Sequence, residues 1–271
     1  MQRVRVNDHD LSYIDLGQGP PLVCVHGSLS DFRVWSPVLG LLSRRHRVVA
    51  ISLRRCFPEH WDGAGGGFSI AQHIADVIAF IEILGAGPVH LLGHSRGGHI
   101  AFRVAQQRPD LLRKLVLAEP GGELDASLAP SGMPPSALGP PLADAAKMIA
   151  AGDIDGGLAV FVDAVDGAGA WGRRPEAAKQ ELRDNARTLI GQVADKRPPY
   201  TRADAAGIRV PTLLVGGTDT PGALPVVLQA LAAHIPAARV AMIPNATHVM
   251  FVQDPVRFCA AVAEFLGPGE A

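Results

Sequence analysis

A serine, a carboxylate and a histidine can together cleave a carbonyl compound, and in this chain all three follow the ends of apolar runs. Ser95 stands at the centre of Gly93-His94-Ser95-Arg96-Gly97, the G-x-S-x-G spacing of a nucleophile held on a tight strand-to-helix turn. Such a turn leaves no room for side chains two residues before and two after the serine, a demand that glycine meets. A serine hydroxyl is a weak nucleophile and needs a base, which in turn needs an acid to orient it. The apolar run Thr212 to Gly216 leads into Gly217-Thr218-Asp219, and the run Arg239 to Ile243 leads into Pro244-Asn245-Ala246-Thr247-His248. We therefore expect Ser95 as nucleophile, Asp219 as acid and His248 as base. Asp219 has an ordinary reading as a turn residue before Pro221, and His248 as a solvated loop residue. What favours chemistry is that all three lie just past strand C-termini, where reactive groups gather in an open parallel sheet.

The negative charge that develops on an attacked carbonyl oxygen requires preorganised N–H donors. The backbone N–H of Arg96, which follows the nucleophile and opens a helix, is one expected donor. The other is assigned to Ser28, in His26-Gly27-Ser28-Leu29, where the chain leaves another apolar run.

The elements that must position these residues can be read from periodicity. Gln2 to Val6 and Leu11 to Asp15 alternate around Asn7-Asp8, as an antiparallel hairpin does. Pro21 to Val25 and Arg47 to Leu53 are continuous apolar runs, suited to strands buried on both faces. Between them Trp35, Val38, Leu39 and Leu42 share a helical face behind Asp31, and Ser69 with Gln72 forms a capping box ahead of a helix that stops at Gly85. The elbow strand and its helix follow, then a strand over Leu115 to Ala118. Strands alternating with helices predict an α/β fold with a mostly parallel sheet covered on both faces. After Pro120 the pattern changes. A stretch rich in Pro, Gly and Ala leads into helices without strands, in which Leu182, Ala186, Leu189, Ile190 and Val193 share one face. Alternation resumes at Thr212, with a helix over Pro225 to His234, a strand over Arg239 to Ile243 and a last helix over Pro255 to Leu266. The tail from Gly267 to Ala271 reads as frayed.

Composition excludes several classes. The 271 residues are 48% hydrophobic and 19% charged, as in a globular protein, and the net charge of −1 gives no electrostatic reason for a nucleic-acid or membrane partner. The clusters Arg44, Arg45, Arg47 and Arg54, Arg55 read as solvated edges of elements. Cys24, Cys56 and Cys259 are scattered, and the ten histidines show no metal-ligand spacing. No metal and no cofactor are expected. The N-terminus lacks the apolar core of a signal peptide and no run is long enough to span a membrane, so the expectation is a cytoplasmic protein with a small-molecule substrate.

His-Gly after one strand, Gly-His-Ser-Arg-Gly after another, Gly-Gly-Thr-Asp late and Asn-Ala-Thr-His near the end together resemble the α/β-hydrolase fold family over essentially the whole chain. The resemblance implies an eight-stranded sheet with one antiparallel strand, flanked by helices. It also implies a helical cap inserted after the sixth strand, with the pocket between cap and core. The cap would be residues 122–202, and the core 1–121 with 203–271. Two departures stand out. Where many relatives carry Asp-x-Arg-Gly-x-Gly, this chain reads Ser52-Leu53-Arg54-Arg55-Cys56-Phe57. Glu119 also occupies the place where some relatives keep the triad acid, although the family more commonly puts a shorter carboxylate after the seventh strand, as Asp219 would be.

A serine at the nucleophile position argues against the dehalogenase and epoxide hydrolase branches, which use a carboxylate there. The expected reaction is acyl transfer through an acyl-enzyme. Apart from Arg54, Arg55 and Arg96, few cations fall beside the expected site, which points to a small, largely apolar ester or lactone. Met148, Ile149, Phe161 and Trp171 are candidate pocket walls as well as candidate helix-packing residues. Relatives of this layout also act as carbon-carbon bond hydrolases of vinylogous diketones, thioesterases, perhydrolases or hydroxynitrile lyases. A non-catalytic ligand-binding protein is the alternative from another class.

Overall fold

Eight strands form one sheet: β1 (Gln2–Val6), β2 (His9–Leu16), β3 (Pro21–Val25), β4 (Arg47–Ile51), β5 (Val89–His94), β6 (Leu112–Ala118), β7 (Thr212–Gly217) and β8 (Arg239–Ile243). The computed structural model describes residues 1–130 and 139–267. The frayed tail expected beyond Gly267 lies outside the described residues.

The strand order is β1-β2-β4-β3-β5-β6-β7-β8, and β2 runs against both its neighbours while the pairs from β4 to β8 are parallel. The hairpin closes at Asn7, which takes φ 50°, a conformation asparagine tolerates in tight turns. Every residue of β3, β5 and β7 is buried, as their unbroken apolar text requires of strands covered on both faces. Alternate residues then divide between two layers. Val23 and Val25 pack with α2 (Ile70–Leu84) and α3 (Arg96–Gln107), whereas Leu22 and Cys24 pack with α1 (Ser36–Leu42) and the C-terminal helix.

The segment between β6 and β7 is helical: α4 (Gly139–Ala150), α5 (Ile154–Asp166), α6 (Ala170–Arg173), α7 (Glu176–Asp184), α8 (Thr188–Ala194) and α9 (Arg202–Gly207). The chain ends with α10 (Leu224–His234), α11 (Met250–Gln253) and α12 (Pro255–Leu266). Ala145, Ile149, Leu158, Ala186 and Leu189 of the inserted helices form their own small core, which closes on Leu29 in the loop after β3. No helix among the described residues is long and apolar enough to cross a membrane.

Two local expectations need correction. The face shared by Leu182 and Val193 does not run along one helix, because the helix breaks at the buried Asn185. Its Nδ2 donates to Asp31 Oδ2 at 2.7 Å and back to Glu181 O at 2.9 Å, and its Oδ1 accepts from Phe57 N at 2.8 Å, so this side chain ties the end of α7 to the core. The capping box ahead of α2 is half present. Ser69 Oγ accepts from Gln72 N, but Gln72 Nε2 donates to Asp76 Oδ1 instead of turning back.

Candidate active site

Ser95 sits between β5 and α3 with φ 52° and ψ −117°, a strained conformation that persists only when its surroundings over-determine it. They do so here. Ser95 N donates to Ala118 O at 3.0 Å, and Ser95 O accepts from Gly121 N at 2.9 Å and from His99 N at 3.1 Å. The flanking glycines are required by close backbone approach: a Cβ on Gly93 would lie 2.3 Å from Gly97 O, and one on Gly97 would lie 2.3 Å from Val25 O. Gly97→Ala should therefore destabilise the protein by about 3 kcal/mol or more, because the obstructing atoms are backbone and cannot rotate away. The denaturant midpoint, at unchanged m-value, measures this; an unshifted midpoint would mean that β3 can yield.

His248 follows β8 and is buried, and its ring Nδ1 donates to Glu119 Oε2 at 2.7 Å. Glu119 is fully buried at the end of β6, and its other oxygen accepts from Gly217 N at 2.9 Å and from Thr220 Oγ1 at 2.7 Å. Three donors thus satisfy a carboxylate that would otherwise be costly to bury. With Nδ1 carrying the proton, His248 Nε2 is left as the basic nitrogen.

Asp219 is not the partner of this histidine. Its side chain is exposed and accepts from the neighbouring Thr218 Oγ1 at 2.8 Å, while its N–H donates to Ala246 O. The acceptor position that an acid after β7 would fill holds the Glu119 carboxylate, which reaches across from the adjacent strand. The expectation that Asp219 pairs with His248 is thus corrected: the carboxylate bonded to His248 is Glu119, at the end of β6.

Sequence reading passed over His94, the residue between Gly93 and Ser95. Its Nε2 donates to the carbonyl of His248 at 2.9 Å, and the two rings lie 4.4 Å apart. Burial holds its pKa well below the ordinary histidine value, so the ring is neutral and its tautomer is fixed by that carbonyl. His26 plays a matching part below the other loop. Its Nδ1 donates to Gly27 O and its Nε2 accepts from Leu53 N, with burial lowering its pKa to about 4.

Ser28, Ser95 and His248 line one cavity of about 160 Å³, together with Leu29, Phe161 and Leu224. Ser28 is anchored from above, its hydroxyl donating to Gln192 Oε1 of α8 at 2.7 Å. Gly121 faces both Ser95 and the first N–H of α3: a Cβ there would lie 3.4 Å from Ser95 Oγ and 3.5 Å from Arg96 N. The side chain of Arg96 turns away and is buried. Its Nη2 donates to Asp195 Oδ2 at 2.8 Å, that same oxygen accepts from Ile70 N at the start of α2, and the guanidinium lies over Phe68.

Of the candidate walls, Phe161 lines the cavity, whereas Ile149 and Trp171 pack within the helical cluster. Arg54 and Arg55 are not site cations. Arg54 is buried and bonds Asp76 and Asp8, and Arg55 bonds Glu59. The cations that do line the cavity are Arg174 and Arg197, both carried by the inserted segment, where no strand end advertises them.

The sequence profile of the Alpha/beta hydrolase family matches residues 22–262. A polyketide synthase, ThaQ, from Burkholderia thailandensis is 31% identical over 260 residues, which is 92% of this chain and 12% of the synthase. An (E)-2-((N-methylformamido)methylene)succinate hydrolase from Acinetobacter baylyi is 29% identical over 115 residues, 41% of each chain. The chain thus spans well under half the length of these relatives in alignment. Among solved structures, the enol-lactonase from Burkholderia xenovorans LB400 superposes with a TM-score of 0.79 at 22% identity, covering 98% of this chain and 99% of that one.

Proposed function

We propose that this chain, which belongs to the α/β-hydrolase family, is a serine hydrolase that cleaves a small carboxylic ester or lactone through an acyl-enzyme. The observation that carries this reading is the buried Glu119–His248 pair opening onto the same cavity as Ser95. His248 Nε2 takes the proton of Ser95 as its Oγ adds to the substrate carbonyl. The N–H groups of Arg96 and Ser28 receive the resulting oxyanion. Collapse of the tetrahedral adduct expels the alcohol, protonated by His248, and leaves Ser95 acylated. Water, deprotonated by the same nitrogen, then releases the acid. Glu119 keeps the proton on Nδ1 throughout and stabilises the imidazolium that forms in each half.

Helices α4 to α8 act in this reading as the cap over a core formed by 1–121 and 203–271. A cavity of about 160 Å³ is close in size to one that holds a single benzene ring, and its wall near the serine is aliphatic or aromatic at Leu29, Val34, Phe161 and Leu224. A short, aliphatic acyl group follows. The likeness to an enol-lactonase and to a hydrolase of a substituted succinate supports carbonyl hydrolysis as the class. The three buried, unpaired thiols suit a reducing compartment such as the cytoplasm. A fluorophosphonate probe tests the reading: it should label one residue, Ser95, identified by peptide mass spectrometry. Absence of labelling, or labelling elsewhere, would refute it.

A further inference from the structure

Charge is distributed unevenly around the cavity. Arg174 and Asp166 both line it and form an ion pair with each other, and Glu123, which also lines it, is exposed to solvent. Arg197 lines the same cavity and is half-buried, yet among the described residues it has neither a salt bridge nor a hydrogen bond. Residues 131–138 contain no Asp or Glu that could serve it. Nearby, Arg96 has one carboxylate partner, Asp195, while its Nε and Nη1 are buried without any. Burial, with the Arg197 charge next in importance, lowers the Arg96 pKa to about 10, which places the two guanidinium groups within electrostatic reach of each other. Gln192 is also nine-tenths buried and lines the cavity. Its Oε1 accepts from Ser28, so its Nε2 is the half of the amide left to donate.

An unpaired guanidinium and an unused amide donor that line the same cavity as Ser95 form a receptor for a planar anion with two oxygens. We propose that Arg197, with Gln192 Nε2, binds a carboxylate at the far end of the substrate. The preferred ester or lactone is then one derived from a short dicarboxylic acid, its aliphatic stretch lying along Leu29 and Phe161 and its free acid on Arg197. This revises the expectation of a largely apolar substrate, which rested on few cations other than Arg54, Arg55 and Arg96 falling beside the site. The inference rests on the serine hydrolase reading, because only then does the carbonyl at Ser95 fix which end of the substrate faces Arg197.

The test compares mono(p-nitrophenyl) glutarate with p-nitrophenyl valerate, which has the same acyl length without the acid. The wild type should favour the glutarate ester in kcat/KM by about tenfold or more, the range for one charge-assisted contact. Arg197→Gln should bring that ratio close to one, and Arg197→Lys should restore part of it. Equal rates in the wild type, or a preference that survives Arg197→Gln, would overturn the proposal. Failure to hydrolyse either ester would count against the proposed reaction and not against the anchor. Glutarate titrated calorimetrically into the wild type and into Arg197→Gln then decides: binding that depends on Arg197 upholds the anchor, and binding that is absent or unchanged overturns it.

Discussion

Ser95→Ala is expected to lower kcat for a p-nitrophenyl ester by on the order of 10⁶-fold, the loss that accompanies removal of a triad nucleophile. The remaining rate would be that of water attack assisted by the oxyanion donors. The fold should survive the change. Ser95 is held at its positive φ by three backbone hydrogen bonds, its N–H donating to Ala118 O and its carbonyl accepting from His99 N and Gly121 N, none of which involves the hydroxyl, and alanine is smaller than serine. Near-unchanged thermal unfolding with turnover abolished is therefore the expected pair of results. Hydrolysis that persists at the wild-type rate would dismiss Ser95 as the nucleophile.

Glu119→Gln should lower kcat by about 10³- to 10⁴-fold, while Asp219→Asn leaves it essentially unchanged. Glutamine fits the site and can still accept from Gly217 N and Thr220 Oγ1 through its oxygen. Its amide group then faces His248 Nδ1 and donates to it, which forces the ring proton onto Nε2. That nitrogen can no longer take the proton of Ser95. The defect would be one of tautomer, with little change in KM, and it separates an orienting carboxylate from a merely structural one. Asp219 lies outside this chain of bonds, exposed and paired with Thr218. The opposite ranking of the two variants would return the acid to the loop after β7.

Much of this arrangement was legible in the sequence, and the exceptions have physical causes. The strands were readable because parallel strands buried on both faces are unbroken apolar text, as in β3, β5 and β7. Ser95 was readable because close backbone approach admits only glycine at 93 and 97. His248 was readable from its place after the last strand. The acid was not, because Glu119 and Asp219 each follow a strand and the choice depends on reach across one strand spacing, which no local pattern records. The long side chain of glutamate spans it, and the turn at 218–220 then points its own aspartate outward. The cations were misread for a related reason. Arg54 and Arg55 follow the end of β4, the strand beside β3, but bond Asp76 and Glu59. Arg197 lies about a hundred residues from Ser95 and comes back to the cavity through the inserted helices.

The ion pair between Arg96 and Asp195 bears on how such a chain can be recombined. Asp195 belongs to the inserted segment, Arg96 to the elbow, and the same carboxylate tethers the first N–H of α2. Removing one member of a buried pair costs about 3–5 kcal/mol. A chimera that takes its helices from a relative without a carboxylate at 195 would strand the guanidinium of the residue next to Ser95. Helices and elbow are exchangeable only together, and a crossover that respects the molecule falls after Arg197, ahead of the point where the sheet resumes.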